Sequence, residues 1–138
     1  RTKKNYQRNF STLISYKLVM IQLLLHLLGD FITQNNWMAE NKAKMNLTGY
    51  AACLTHCLVY SFPFIFIASP LALFVIFFTH FFIDKFRLAR HFCRLKNWHF
   101  STETGYSEHT PVWLSTMLVM IVDNTLHISI NYFSITYL

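Results

Sequence analysis

The chain has 138 residues, 54% of them hydrophobic, 17% aromatic and only 13% charged, with a formal net charge of +6. That length suits one domain, and the charged share is well below the ~25% of a soluble domain. Three glycines and three prolines are too few for a loop-rich or all-β chain. The bases flank apolar runs, which points them at anionic lipid headgroups and away from nucleic acid.

Residues 1–17 are basic and polar and read as an appendage, with Met20 as a candidate natural start. The first apolar run that follows has no small-residue cleavage site behind it, so it reads as a span and not as a signal peptide. The predicted architecture is all-α. It is a polytopic membrane protein, a bundle of about four transmembrane helices over residues 18–34, 47–68, 70–88 and 111–137. A spanning structure must be a helix or a closed barrel, and no strand alternation persists.

In chain order, the first span is stopped by Asn35, Asn36 and Trp37, and a polar connection with Glu40, Lys42 and Lys44 follows. The second span holds no acid or lysine, and Pro63 is placed to kink it. Ser69 and Pro70 make a tight turn, since proline ends one helix and can open the next. The third span runs to about Asp84 and continues as a basic helical extension with Lys85, Arg87, Arg90, Arg94 and Lys96. A polar loop covers residues 97–110, and Pro111 fits the first turn of the fourth span.

Four spans put both termini on one side. The loop side carries Lys42, Lys44, Lys85, Arg87, Arg90, Arg94 and Lys96, and the terminal side Arg1, Lys3, Lys4, Arg8 and Lys17. With the appendage set aside, the positive-inside rule predicts cytoplasmic loops and outside termini. Trp37, Trp98 and Trp113 fall on the loop side, as interface anchors do. The three cysteines, Cys53, Cys57 and Cys93, show no disulfide or metal spacing and read as small buried hydrophobes.

The acidic residues carry the chemistry. Asp30, Asp84 and Asp123 sit in or at the ends of apolar spans, where an aspartate costs about 2.5–3.5 kcal/mol on insertion scales. Each needs a partner, water or a metal. Each has a histidine four residues away on the same helix face: His26 with Asp30, His80 with Asp84, Asp123 with His127. His56 adds a histidine from the second span, and Gln34 and Asn124 are nearby polar candidates. At 1.5 Å per residue, His26, His56 and His80 lie roughly 10–13 Å from the loop-side helix ends, and Asp123 roughly 18 Å.

Imidazole and carboxylate suit zinc, manganese or iron. His26, Asp30, His56, His80, Asp84, Asp123 and His127 suffice for two divalent metals, or for one with supporting carboxylates. The competing readings are that the pairs neutralise themselves and lock helices, or that they form a proton or ion path. Repetition in three spans favours the metal. His91, His99 and His109 lie in the basic extension and loop and are read as solvated. Lys85, Arg87 and Arg90 are read as a flank for lipid headgroups.

At these residues the chain resembles domain-of-unknown-function family 3307, small membrane proteins of bacteria and phages. The resemblance rests on residues 26–34 (HLLGDFITQ), 36–42 (NWMAENK), Thr55 and His56 with Tyr60, and 79–84 (THFFID). It continues through 104–106 (TGY), 110–114 (TPVWL) and 122–127 (VDNTLH). It implies a multi-pass protein of the bacterial inner membrane with unassigned activity, nearest the phage-borne branch. The intramembrane His/Asp pattern is also similar to membrane-bound metal-dependent hydrolases.

The functional expectation is therefore a metal-dependent hydrolase acting on a lipid or lipid-linked substrate, with Asp30 or Asp84 as general base. The alternative is a non-enzymatic phage-type membrane protein whose His/Asp pairs lock helices and which binds a host membrane partner. Four helices barely enclose a site, so a homodimer is also considered.

Overall fold

The computed structural model describes residues 2–138, with side chains for residue 13 and from residue 16 onward. The terminal bases Arg1, Lys3, Lys4 and Arg8 lie outside the described side chains. Every regular element among the described residues is helical. Helix α1 runs Thr2–Leu27 and passes directly into a π-helical turn, Leu28–Ile32. Helix α2 spans Asn36–Asn41, α3 Leu47–Ser61 and α4 Pro70–Lys85. Helix α5 spans Leu88–Asn97 and α6 Val112–Tyr137.

The boundaries follow local chemistry. Asn35 and Asn46 cap α2 and α3, their side-chain oxygens accepting from Met38 N and Gly49 N. Each satisfies a backbone donor that the first turn leaves unpaired. Ser69 caps α4 through Ala72 N, and Pro70 takes the first helical position, where its missing N–H costs nothing. Pro63 changes the second span as its missing donor requires. The α-helix ends at Ser61 and a tighter 3₁₀ segment, Phe62–Phe66, follows with Pro63 in its first turn.

Several boundaries differ from expectation. No helix start marks the expected beginning of the first span at residue 18, since α1 runs unbroken from Thr2 to Leu27. The basic extension does not continue the third span: Arg87 adopts a left-handed conformation (φ 50°) that ends α4 and starts α5 as a separate helix. Pro111 stands as the cap residue just ahead of α6 and not within its first turn.

The π turn at the end of α1 is fixed by Thr33 N donating to Leu28 O across five residues, and by Thr33 Oγ1 donating to Gly29 O. The turn itself packs on α3. A β-carbon on Gly29 would fall 2.4 Å from Tyr60 Cδ2, so only glycine lets this turn press on the Tyr60 ring.

Helix α4 packs on α3 and α6, α1 packs on α6, and α2 and α5 lean on α3 and α6 respectively. Tyr60, Phe64 and Ile76 form a small apolar core, joined by Leu25, Leu73 and Ile135. Much of the rest of the interior is polar: Gln22, His26, His56, His80, Asp84, His127 and Asn131 are all buried. Large apolar side chains face outward instead, among them Leu24, Leu58, Phe62, Phe74, Phe82 and Phe133. Two segments, Leu47–Phe66 and Val112–Tyr137, are long and apolar enough to cross a membrane.

Candidate metal centre

Four of the helices, α1, α3, α4 and α6, each contribute one buried polar stripe at helical spacing. Gln22 and His26 share a face of α1, His56 and Tyr60 a face of α3, His80 and Asp84 a face of α4, and His127 and Asn131 a face of α6. Packing α4 between α3 and α6 turns these stripes toward one another.

Four atoms converge first. His56 Nε2 and His80 Nε2 stand 2.9 Å apart. Asp30 Oδ1 lies 3.3 Å from His56 Nε2 and 3.5 Å from His80 Nε2. Asp84 Oδ2 lies 3.1 and 3.4 Å from the same two nitrogens. A cation with four ligands at ordinary zinc bond lengths separates those ligands by about 3.3–3.4 Å along each tetrahedral edge. The five separations, 2.9 to 3.5 Å, are of that size. These His and Asp groups are positioned closely enough to hold a metal ion.

A second group shares Asp84. Its other oxygen, Oδ1, lies 3.4 Å from His127 Nε2, which is 3.7 Å from Asp123 Oδ2. Asp84, Asp123 and His127 form another set of potential ligands. His127 Nε2 and Asp30 Oδ1 are buried and make no hydrogen bond to a described residue, an arrangement that a polar atom in a protein interior rarely keeps without a partner.

The three His/Asp pairs read four residues apart all come together, at 3.5 Å for His26 and Asp30, 3.4 Å for His80 and Asp84, and 3.7 Å for Asp123 and His127. His26 nevertheless stands outside both ligand groups. Its Nε2 faces Asn124 Oδ1 at 2.8 Å, while Asn124 Nδ2 donates to Met120 O. The amide oxygen can only accept, so His26 Nε2 carries the proton and Nδ1 is the acceptor. Tyr60 OH, 2.9 Å away, donates to that Nδ1 and accepts from Asn131 Nδ2 at 2.7 Å. Both ring nitrogens are thus committed, and His26 braces the centre without facing it. Gln34 Oε1 is buried and makes no hydrogen bond to a described residue.

Sequence reasoning gave Lys42, Tyr60 and Asn131 no role at the centre. Lys42 Nζ donates to Asp84 Oδ2 at 2.7 Å. Burial works against its charge, but the adjacent Asp84 carboxylate outweighs this and holds the Lys42 pKa above the ordinary lysine value. Tyr60 stacks on the His80 ring with centroids 3.7 Å apart. The signal for Tyr60 and Asn131 was present: each lies four residues beyond a buried histidine.

The three bases expected at a headgroup flank separate. Lys85 is buried, its Nζ donating to Lys44 O at 2.6 Å and lying over the Tyr50 ring. Its role there is to tie the α2–α3 connection to α4. Arg87 and Arg90 are more open and both pair with Glu103 of the loop before α6. His91, His99 and His109 join neither ligand group. Cys53, Cys57 and Cys93 are buried free thiols.

A cavity of about 250 Å³ reaches the centre from this basic side. Lys42, Asp84, Arg87, Arg90, Thr116 and Asp123 line it. Its wall includes Asp84 and Asp123 but not Asp30, His56 or His80.

The family model described as "Protein of unknown function (DUF3307)" matches residues 18–137. No curated protein and no solved structure matches the chain.

Proposed function

The chain belongs to the DUF3307 family, and for this member we propose a metal-dependent membrane hydrolase that acts on a lipid-linked phosphate or ester. The carrying observation is the convergence of Asp30, His56, His80 and Asp84, with five separations of 2.9 to 3.5 Å, beside a cavity lined by Lys42, Arg87 and Arg90. Two segments of spanning character and an exterior of large apolar side chains around a polar interior support a lipid setting. In this reading the chain crosses the bacterial inner membrane four times, with its basic loops cytoplasmic.

A divalent cation in this centre would polarise a phosphoryl or ester oxygen and acidify the attacking water. The residues of the chain do the rest. Lys42, Arg87 and Arg90 attract the anionic head of the substrate into the cavity. Of the two aspartates expected as general base, Asp84 lines the cavity and Asp30 does not. With one ion in the four-atom centre both stand among the candidate ligands, and Asp123, on the same cavity, is the carboxylate placed to take the water proton. For a phosphate ester, the bond from phosphorus to the lipid oxygen breaks and a bond from phosphorus to the water oxygen forms. One water proton ends on the lipid hydroxyl and the other stays on the phosphate.

The test is elemental analysis of detergent-purified protein beside its His80→Ala variant. One or more equivalents of transition metal, lost in the variant, together with release of phosphate from a lipid phosphate, is the expected result. A wild type that is free of metal, and whose thermal unfolding is unchanged by chelators, would overturn it.

One observation favours a second reading. The Lys42 ammonium already compensates Asp84, so the polar centre is able to lock the helices without a metal. The protein would then act as a phage-type membrane component that binds a host partner. Metal content separates the two.

A further inference from the structure

The two ligand groups differ in a way that assigns them different work. The first offers four side-chain atoms from three elements, and of its residues only Asp84 reaches the cavity wall. Four protein ligands close a tetrahedral site, which is the mark of a structural metal position. The second offers three, Asp84 Oδ1, Asp123 Oδ2 and His127 Nε2, and two of its residues line the cavity. Three protein ligands with a fourth position left to water or substrate is the pattern of a catalytic one.

Resting on the metal reading above, we propose that the protein holds two divalent cations bridged by the Asp84 carboxylate. The buried ion is held by Asp30, His56, His80 and Asp84 Oδ2. The cavity-facing ion is held by Asp84 Oδ1, Asp123 and His127, and takes the substrate. Three further observations agree. Asp84 is the one residue common to both groups, and its two oxygens already face different partners. His127 Nε2 is buried and makes no hydrogen bond to a described residue. Arg87 and Arg90 line the same cavity as Asp84 and Asp123, so cationic groups and the open metal position face one space that an anion can enter.

This arrangement selects the substrate class. The open position of the cavity-facing ion would take a phosphoryl oxygen, while the buried ion, closed by its four ligands, would hold Asp84 in place. A terminal phosphate monoester on a lipid alcohol fits: its charge matches the arginines and its tail has an apolar exterior to follow.

The test uses the full chain in detergent, stripped with chelator and reloaded with Mn²⁺. Two equivalents of Mn²⁺ and an exchange-coupled electron paramagnetic resonance signal are expected in the wild type. The Asp123→Asn/His127→Gln variant should keep one equivalent and show the six-line signal of a single ion. One equivalent in the wild type, with no coupled signal, would overturn the two-ion assignment and leave the hydrolase reading standing. No bound Mn²⁺ at all would overturn both. The wild-type spectrum decides without the variant, should the double substitution fail to fold.

Discussion

Lys42, in the connection after α2, sets its Nζ 2.7 Å from Asp84 Oδ2 near the end of α4. That oxygen is also the one that faces His56 and His80. An ammonium and a metal ion therefore compete for the same lone pairs. Replacing Lys42 by Met removes the competitor and leaves Asp84, only 3% exposed, without its cation. In the metal-free protein this should cost about 3 kcal/mol, the scale of a broken buried ion pair. Metal affinity should rise about tenfold, equivalent to ~1.4 kcal/mol. Thermal unfolding in chelator and a competitive metal titration measure the two effects. An affinity that falls would mean Lys42 supports the metal and does not compete with it.

Glu103 pairs with both Arg87 and Arg90, which line the cavity. All three side chains are at least 30% exposed, Glu103 the most at 66%, so the pairs contribute under about 1 kcal/mol to folding. Glu103→Ala should leave the melting temperature nearly unchanged and free both guanidinium groups. Inorganic phosphate should then bind several-fold more tightly, read by phosphorus resonance broadening with the protein in detergent. The gain should vanish in Arg87→Ala/Arg90→Ala. Unchanged phosphate binding in Glu103→Ala would show that the arginines are not an anion site.

Tyr60 links His26 to Asn131 through one hydroxyl. Tyr60→Phe keeps the ring on His80 but strands His26 Nδ1 and Asn131 Nδ2 in the interior. The expected loss is about 1–3 kcal/mol of stability, with metal content preserved. His26→Ala should behave alike: less stable, still metal-loaded. His80→Ala should lose the metal. Elemental analysis beside thermal unfolding separates bracing residues from ligands, and loss of metal in His26→Ala would place His26 among the ligands.

The residue pattern alone determined the helical class and the three His/Asp pairs. Each pair lies within a single helix, where 3.6 residues per turn fixes which side chains share a face. The proline and asparagine boundaries were legible for the same reason, since they act through the backbone beside them. Tertiary structure decided the rest. That Asp84 serves two groups while His26 serves neither depends on how α4 sits between α3 and α6, and on the direction of hydrogen bonds through Tyr60 and Asn124. Lys42 carried no periodic signal, because it lies outside the long helices and reaches its partner only after the bundle closes. Lys85 and Arg87, two residues apart in a basic run, part ways because the left-handed turn at Arg87 ends the helix that carries Lys85 inward. Helical spacing sets which residues share a face, and only the packing of one face on another sets which atoms meet.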